Sequence, residues 1–582
     1  MRRTKILVTL GPATDNKEVL SEILDNGMNV ARFNFSHGDH EEHKNRVELL
    51  REVAGEKNSN VALLMDTKGP EIRTRLFENG EIELKNDKQV TLTTEDVLGT
   101  EKLISVNYDR LPSMVKIGAT ILLDDGLVSL EVLNIIDKKK VLCKVINGGF
   151  IKDRRGVNIP NFHIDLPNPT NRDKEDVRFA VDMDYDFIAV SFVQSAETIM
   201  EYKKILRNYG NEKIQVIAKI ENKTGVENFD SILNVADGIM VARGDLGVEL
   251  PMEEVPIVQK ELIKKCFMAG KPVITATQLL HSMIESPRPT RAEVSDVANA
   301  IYDLTSAVML SGETSIGKFP SRCVDIMDNV SRRTEEAIDY RKVYIGLLSS
   351  FLKEKDMTNA VTNAALTTAY ELCAKAIITV TETGYTARML SKMRPKMPII
   401  AVTSDTKVWR QLSINWGVKP VLGKEYLSLD ELQEQIIKLS LETGLIENGD
   451  IVVIVAGVPV GIAGATNLIK VEIVGDVLVK GISTVPGKAK GRICLAKSYE
   501  ELILNFKDGD IVVMKYLDEA VLPMLKQASG IIIEEEDVEG KIKLIGKTLG
   551  IPVISSARAA LDILKNGMMI KMDAGEGQVS KI

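Results

Sequence analysis

Charged and hydroxyl-bearing residues recur in this sequence just where short apolar runs stop. "VARFNFSH" ends in Arg32, Asn34, Ser36 and His37, and "VALLMDTKGPEIR" in Asp66, Thr67, Lys68, Glu71 and Arg73. "QVIAKIE" gives Lys219 and Glu221, "GIMVARGD" gives Arg243, Gly244 and Asp245, "PVITATQ" gives Thr277 and Gln278, and "SAVMLSGE" gives Ser311 and Glu313. A single such residue is most simply a solvated loop group. Six run-ends sharing one rim would be costly to bury unless the groups bind each other, a metal or an ionic substrate. Glu221 and Asp245 form a sparse two-carboxylate site of the kind that suits Mg²⁺ or Mn²⁺, which keep waters and take further oxygens from a substrate. Lys219, Arg32 and Arg73 surround that site with cations, a set suited to an anionic substrate and to charge developing on a phosphoryl or enolate oxygen. Asn34, Ser36 and Asp66 make a second oxygen-rich cluster, either a monovalent-cation site or a hydrogen-bonded strand-end network.

The elements that must position these groups follow from hydrophobic period. The six runs above, with "KILVTLG" and "FIAVSFV", are eight continuous β-branched stretches, as expected for strands covered on both faces. Amphipathic helices intervene, such as "VPIVQKELIKKCFMAGK" with Gly270 at its stop position. Eight strand–helix repeats predict a (β/α)₈ barrel over residues 1–69 and 166–337, with function at the C-terminal strand ends. The long gap after the third strand alternates at period two and carries an Asp-Asp-Gly turn, which predicts an inserted all-β lid over 70–165. Strand–loop–helix units restart as a third, α/β domain over 338–473, and a compact fourth domain occupies 474–582.

Composition excludes several function classes. The chain has 582 residues, 44% hydrophobic and 27% charged, with a net charge of -8, which argues against a nucleic-acid surface. No apolar run has the length of a membrane span, and "MRRTKILVTLGP" lacks the features of a signal peptide. Five scattered cysteines with no Cys-x-x-Cys pair disfavour a disulfide framework or a zinc site and point to a reducing cytoplasm. Arg243-Gly244-Asp245 spells an adhesion tripeptide, but that compartment suits it poorly. His37, His40 and His43 are spaced around a helix start with no cysteine partners, so a metal site there is disfavoured. His163 and His281 have no evident partners. "GKIKLIGKT" mimics a Walker loop with one residue too many between Gly540 and Gly546.

The stretches "ARFNFSHG", "MDTKGPEIRT", "AKIEN", "VARGDLGVE", "ATQLLHSMIESPRPTRAEVSDVANA" and "MLSGET" resemble the pyruvate kinase family in order and spacing, over residues 1 to about 473. The resemblance implies phosphoryl transfer from phosphoenolpyruvate to ADP in glycolysis, an allosteric homotetramer, and dependence on Mg²⁺ (or Mn²⁺) and K⁺. It implies that Glu221 and Asp245 hold the divalent metal and that Lys219 stabilises the phosphoryl group and enolate. Arg32 and Arg73 would contact phosphate, Gly244 and Asp245 the substrate, and Thr277 would help a water protonate the enolate carbon. Asn34, Ser36, Asp66 and Thr67 match the potassium ligands, and Glu71 the position that marks potassium-requiring members. Asn34, His37 and Arg155 fall on the nucleotide side, with Arg154-Arg155 where Lys-Lys is usual.

Beyond the barrel, Thr381, Thr383, Gly384 and Thr386 in "TVTETGYTARML" would cradle the phosphate of an activator, with "GVPVGIAGATN" closing over it. Tyr385 replaces the residue often found there, which leaves the activator's identity open. The last hundred residues resemble the swivelling phosphohistidine domain of phosphoenolpyruvate-using enzymes. Lys541 stands about where the phosphate-accepting histidine would be, so the expected role is structural or oligomer-stabilising. Two other readings compete: a metal-dependent, enolate-forming lyase on the same barrel, and a non-catalytic adhesion or sensor protein.

Overall fold

The computed structural model describes residues 1–160, 166–351, 356–424, 429–457, 466–475, 477–517, 519–537 and 540–582. His163 and most of the "GVPVGIAGATN" loop lie outside the described residues. The chain gathers into two compact units, one of Met1–Asn359 with Thr381–Lys424, the other of Ala360–Val380 with Glu425–Ile582.

The first unit contains a closed barrel of eight parallel strands: β1 Lys5–Thr9, β2 Val30–Asn34, β3 Ala62–Asp66, β4 Phe187–Val190, β5 Gln215–Ile220, β6 Gly238–Ala242, β7 Val273–Ala276 and β8 Ala307–Leu310. Their near-continuous apolar composition has a simple cause: alternate residues point to two different cores, and both cores are buried. Leu7, Val30, Leu64, Ile217, Met240 and Met309 fill the barrel interior. Ile6, Val8, Phe33, Met65, Ala218 and Val241 face outward under the helices. Ile414 belongs to the interior cluster, so the segment around it plugs the barrel from outside the strands.

Local signals set the helix ends. Asn16 caps Lys17–Asp25 by accepting from the Val19 N–H at 3.0 Å. Thr170 with Asp173, and Thr290 with Glu293, form reciprocal capping boxes. Gly270, just past Val255–Met268, has φ +67°, the left-handed conformation that ends a helix without steric cost in glycine.

Between β3 and β4 a six-stranded sheet with its own core forms the lid. At its edge Val157–Asn158 pairs antiparallel with Thr120–Leu123, which runs through the Asp124-Asp125-Gly126 turn into Val128–Ile135. Asp125 and Gly126 have φ of +54° and +87°, and Leu127 N donates to Asp124 O at 3.0 Å, a tight hairpin turn that favours Asp and Gly.

Residues 381–424 pack on the barrel within the same unit and contribute a parallel strand pair, Ile399–Thr403 with Val418–Leu422. Arg410 Nε lies 2.9 Å from an oxygen of the fully buried Asp186, Lys407 Nζ lies 2.7 Å from Asp184, and Lys5 Nζ donates to Val418 O at 2.6 Å. Burial raises the pKa of Asp186 against the pull of Arg410 and Lys407. Arg410→Ala leaves that carboxylate under-compensated, since Lys407 Nζ is 3.9 Å from it. We expect a loss of about 3–5 kcal/mol, the range for breaking a buried pair, read as a fall in melting temperature of the isolated full chain.

In the second unit, Ala376–Val380 pairs in parallel with Ile451–Gly457, which pairs antiparallel with Thr466–Ile473. From Val477 onward an eight-stranded mixed sheet forms the last domain. There Asp537 accepts from the Ile542 and Lys543 N–H groups at 3.0 and 2.9 Å, so its carboxylate occupies the start of the Lys541–Leu549 helix.

Candidate active site

The strand-end residues are brought together by register. Asn34 pairs with Asp66 across β2 and β3, and Ala189 of β4 pairs with Asp66 from the other side. Lys219 is inside β5, and Glu221, two residues on, shares its face. At the centre Lys219 Nζ is 2.9 Å from Asp66 Oδ1, 2.8 Å from Glu221 Oε1 and 2.8 Å from Ser191 Oγ. Asp66 Oδ2 accepts from Arg32 Nε at 2.6 Å, and Arg32 Nη1 reaches Thr9 Oγ1 at 3.0 Å. Burial opposes the charge on Lys219, but Asp66 and Glu221 outweigh it and raise its pKa, so the ammonium is permanent. Burial likewise opposes the charge on Asp66, and Arg32 with Lys219 hold its carboxyl below the ordinary range.

Asp245 differs. Burial, then the neighbouring Glu221 charge, push its pKa upward, with Lys219 only partly offsetting them. Two adjacent carboxylates held out of water with one shared ammonium are an excess of negative charge that a divalent cation would relieve. The donor set therefore fits Mg²⁺ or Mn²⁺. Glu221 Oε2 is oriented by the Phe192 N–H at 2.7 Å, which fixes the carboxylate before any ion arrives.

Asp245 sits in a short helix, Arg243–Glu249, that begins where β6 stops. Gly244 N donates to Thr277 Oγ1 at 2.8 Å, and that hydroxyl donates to Ala276 O at 2.7 Å. Thr277 and Gln278 have φ of +68° and +55°, unusual for non-glycine residues and a feature that clusters at functional sites. A Cβ on Gly244 would meet Thr277 Oγ1 at 3.5 Å, an ordinary contact, so packing inside the chain does not by itself demand glycine.

A cleft of about 510 Å³ opens between this centre and the lid. Glu221 and Asp245 line it from the barrel; Arg73, Asp125 and Arg155 line it from the lid, and His37 from the β2 loop. Arg73 is held by Glu71 at 2.6 Å and by Arg154 O at 2.7 Å, and Arg155 lies 3.6 Å from Asp124. Arg73 therefore belongs to the lid side and is not part of the Lys219 cluster.

Several strand-end residues serve the frame instead. Arg243 turns away to Asp296 at 2.8 Å and to the Ala276 and Thr277 carbonyls. Glu313 is buried and accepts from Ser311 N and Leu280 N. His43 stacks on Phe35 at 4.1 Å and meets His37 O, and burial lowers its pKa to about 4. His40 pairs with Asp176 at 2.6 Å. Asn34 Oδ1 accepts from Ser36 N at 3.1 Å, and Thr67 Oγ1 accepts from Ser191 N at 3.0 Å, so both oxygen-rich residues are held in place at the cluster. Sequence reasoning missed Ser191, although it ends the "FIAVSFV" strand and the rule applied to the other strands would have found it. It also took Asp124-Asp125 only as a turn, when the turn projects into the cleft.

Thr381, Thr383, Gly384 and Thr386 do not line the cleft. Thr381 N donates to Val402 O, Thr383 O accepts from Arg388 Nη1 at 3.0 Å, and Gly384, φ +75°, precedes the Tyr385–Lys392 helix with no side chain capping it.

Comparison with known proteins decides the family. The pyruvate kinase barrel domain matches residues 1–324, the pyruvate kinase alpha/beta domain residues 359–472, and the mobile domain of PEP-utilising enzymes residues 506–577. A pyruvate kinase of Bacillus licheniformis is 48% identical over 584 residues, covering 100% of this chain and 99% of its own, and that of Geobacillus stearothermophilus is 47% identical over 99% and 98%. This chain belongs to the pyruvate kinase family. A crystal structure of a pyruvate kinase from Cryptosporidium parvum superposes with a TM-score of 0.77 at 44% identity, covering 81% of this chain and 96% of that one. Membership in the pyruvate kinase family makes the chain a phosphotransferase enzyme, and its fold class is the barrel with lid, α/β domain and swivelling-type C-terminal domain. Among the described residues no helix is long and apolar enough to cross a membrane.

Proposed function

We propose that the chain transfers the phosphoryl group of phosphoenolpyruvate to ADP, giving pyruvate and ATP, at the cleft between the barrel and the lid. The observation that carries this is the buried Lys219 network, which places a fixed cation between Asp66, Glu221 and Ser191 beside the under-compensated Asp245. In this reading the Lys219 ammonium faces the bridging oxygen and stabilises the negative charge left on the enolate as the phosphorus–oxygen bond breaks. Arg32 and Arg73 hold the phosphate from the barrel and lid sides. Gly244 and Asp245 would contact the substrate. The Thr277 hydroxyl, fixed between Gly244 N and Ala276 O, positions the water that delivers a proton to the methylene carbon. Asn34, His37 and Arg155 take the nucleotide. Glu221 and Asp245 would hold a divalent cation, which when bound supplies positive charge to the transferred phosphoryl oxygens. ADP-dependent pyruvate formation by the full chain tests the reading; pyruvate formed from phosphoenolpyruvate without ADP would mean that water takes the phosphoryl group, and would refute it.

Asn34, Ser36, Asp66 and Thr67 are the ligands for a monovalent cation in this reading, with Glu71 setting the need for one. Replacing K⁺ by tetramethylammonium is expected to cut turnover at least about tenfold, because one positive charge near the developing anion is lost. Glu71→Lys is expected to restore most of that activity; full activity of the parent chain in the organic cation would sink the assignment.

Thr381, Thr383, Gly384 and Thr386 would bind the phosphate of an activator at the uncapped start of the Tyr385–Lys392 helix. Phosphosugars and nucleotides, tested at subsaturating phosphoenolpyruvate, are expected to include an activator whose effect is lost in Thr383→Val. Retained activation in that variant would place the effector elsewhere. The chain is proposed to work as a homotetramer in the cytoplasm, with sedimentation velocity as the measure of its assembly.

A further inference from the structure

Four cationic side chains, Lys271, Arg388, Lys392 and Arg394, line one small cavity, and among the described residues no aspartate or glutamate joins them there. One wall is the turn before β7 together with Ser306, the residue before β8. The other is the Tyr385–Lys392 helix with Arg394 and Asn415. The first wall is formed at the N-terminal ends of the strands, so the cavity lies at the end of the barrel opposite the cleft. It has room for a single water-sized guest, with about 10 Å³ open to the guest's centre.

The charges around that space are poorly answered. Arg394 is 2% exposed; its Nη1 and Nη2 donate to the Ser391 and Leu304 carbonyls at 2.8 Å, and the guanidinium lies 4.9 Å from the centroid of the Trp416 ring. Its Nε is buried with no hydrogen-bond partner among the described residues. Burial pushes the pKa of Arg394 down to about 9 and lowers those of Arg388 and Lys271 as well. The acid that acts on Lys271 and Arg388 is Asp237, which is already bound to Lys203 Nζ and to the Val216 N–H, each at 2.8 Å. Asp356 answers Lys392. Lys271 spends its ammonium hydrogens on the Leu233, Asn234 and Ala236 carbonyls, so it brings charge without a donor. Arg388 has five N–H donors, of which the Thr383 carbonyl takes one.

We propose that the cavity binds one monatomic anion, of the size and charge of chloride, as a bridge between the barrel end and the Tyr385–Lys392 helix. A water there would accept from Arg394 Nε but would leave the surplus positive charge buried, whereas an anion meets both needs. The room available excludes a phosphosugar or a nucleotide, and the charge excludes a metal cation. A halide also accepts hydrogen bonds from every direction, which suits donors converging from two segments of the chain.

Crystals of the full chain held in sodium bromide are expected to show an anomalous bromide peak in contact with Arg388 and Arg394, which fades when chloride displaces the bromide. In solution at constant ionic strength, replacing gluconate, which is too large to enter, by chloride is expected to raise the melting temperature by about 2–4 °C and then level off. Asn415→Asp puts a carboxylate on the cavity wall in the shape of the residue it replaces. The bond this costs, from Asn415 Nδ2 to Gln411 O at 3.4 Å, is at the long limit. That variant is expected to melt above the parent in gluconate and to gain nothing from chloride. Arg388→Gln is expected to lose the chloride response from the other side, by removing a donor and part of the surplus charge. A crystal with bromide elsewhere but none in the cavity would overturn the site, as would a chloride response of equal size in the parent and in Asn415→Asp. Sulfate that saturates the effect at a lower concentration than chloride would overturn the assignment to a monatomic ion.

Discussion

Lys219→Ala is expected to lower kcat for ADP-dependent pyruvate formation by about 10³-fold or more, a loss at the upper end for removal of one preorganised charge-stabilising group. The expectation is this large because nothing nearby can replace the ammonium. Its three contacts, Asp66, Glu221 and Ser191, are two carboxylates and a hydroxyl, and the other buried cation, Arg32, is already bound to Asp66 Oδ2 and Thr9 Oγ1. The same variant tests the site against a purely structural role. Among the described residues, removing the ammonium leaves the charge on buried Glu221 answered by the Phe192 N–H alone, so some stability is lost as well. Lys219→Met at the same position keeps the packing and not the charge. A folded methionine variant with near-parental turnover would show that Lys219 is merely part of an ion-pair frame. A lysine that matters only to folding predicts instead that activity per folded molecule is preserved.

Much of this centre was legible in the sequence because a barrel converts linear pattern into geometry. Once eight apolar runs are read as strands of one closed sheet, their C-terminal neighbours must share a rim, and Lys219, Glu221, Asp245 and Thr277 fall there. Direction within the rim was not legible. Arg243 and Asp245 are two residues apart at the end of one run, yet a helix begins at Arg243 and sends the two side chains to different partners, Asp296 for the arginine and the cleft for the acid. Glu313 looked like one more rim acid and proves to satisfy two backbone N–H groups. Arg73 lines the cleft with Glu221 and Asp245, but its ties to Glu71 and Arg154 O were not legible, because they are set by the fold of an inserted domain that period-two alternation cannot register against the barrel. The two compact units, Met1–Asn359 with Thr381–Lys424 and Ala360–Val380 with Glu425–Ile582, were not legible in local pattern, because units are defined by contacts made at long range. Arg243-Gly244-Asp245 as an adhesion tripeptide fails on the same ground. Its aspartate lies in a cleft beside Glu221, its arginine is bound to Asp296 and two carbonyls, and the spelling carries no loop with it.

Asp245→Asn is expected to act on stability and on metal affinity in opposite directions, and that opposition is the sharper test of the two-carboxylate site. Asp245 has its pKa raised by burial and by Glu221. A carboxyl whose folded pKa lies above its unfolded value binds more protons folded than unfolded, so it favours the folded state at low pH and costs stability as pH rises from the ordinary carboxylate range toward its folded value. Without metal, the asparagine variant is free of that cost. It is expected to melt a few degrees above the parent near neutral pH in EDTA, corresponding to about 1–2 kcal/mol, with the difference shrinking as the pH is lowered. Adding Mn²⁺ reverses the order. The parent gains stability by mass action, since the cation binds the folded state through a carboxylate that must be deprotonated, and its affinity tightens as pH rises. The variant keeps only Glu221, which Lys219 already neutralises in part, so its Mn²⁺ affinity is expected to fall at least about 100-fold, with turnover falling alongside. A variant less stable than the parent in EDTA would mean that the Asp245 charge is well compensated within the protein. A variant that binds Mn²⁺ as the parent does would move the divalent site away from Asp245 altogether. The predicted pair, more stable when empty and unable to be stabilised when metal is supplied, is the behaviour of a residue retained for its chemistry at the expense of the fold.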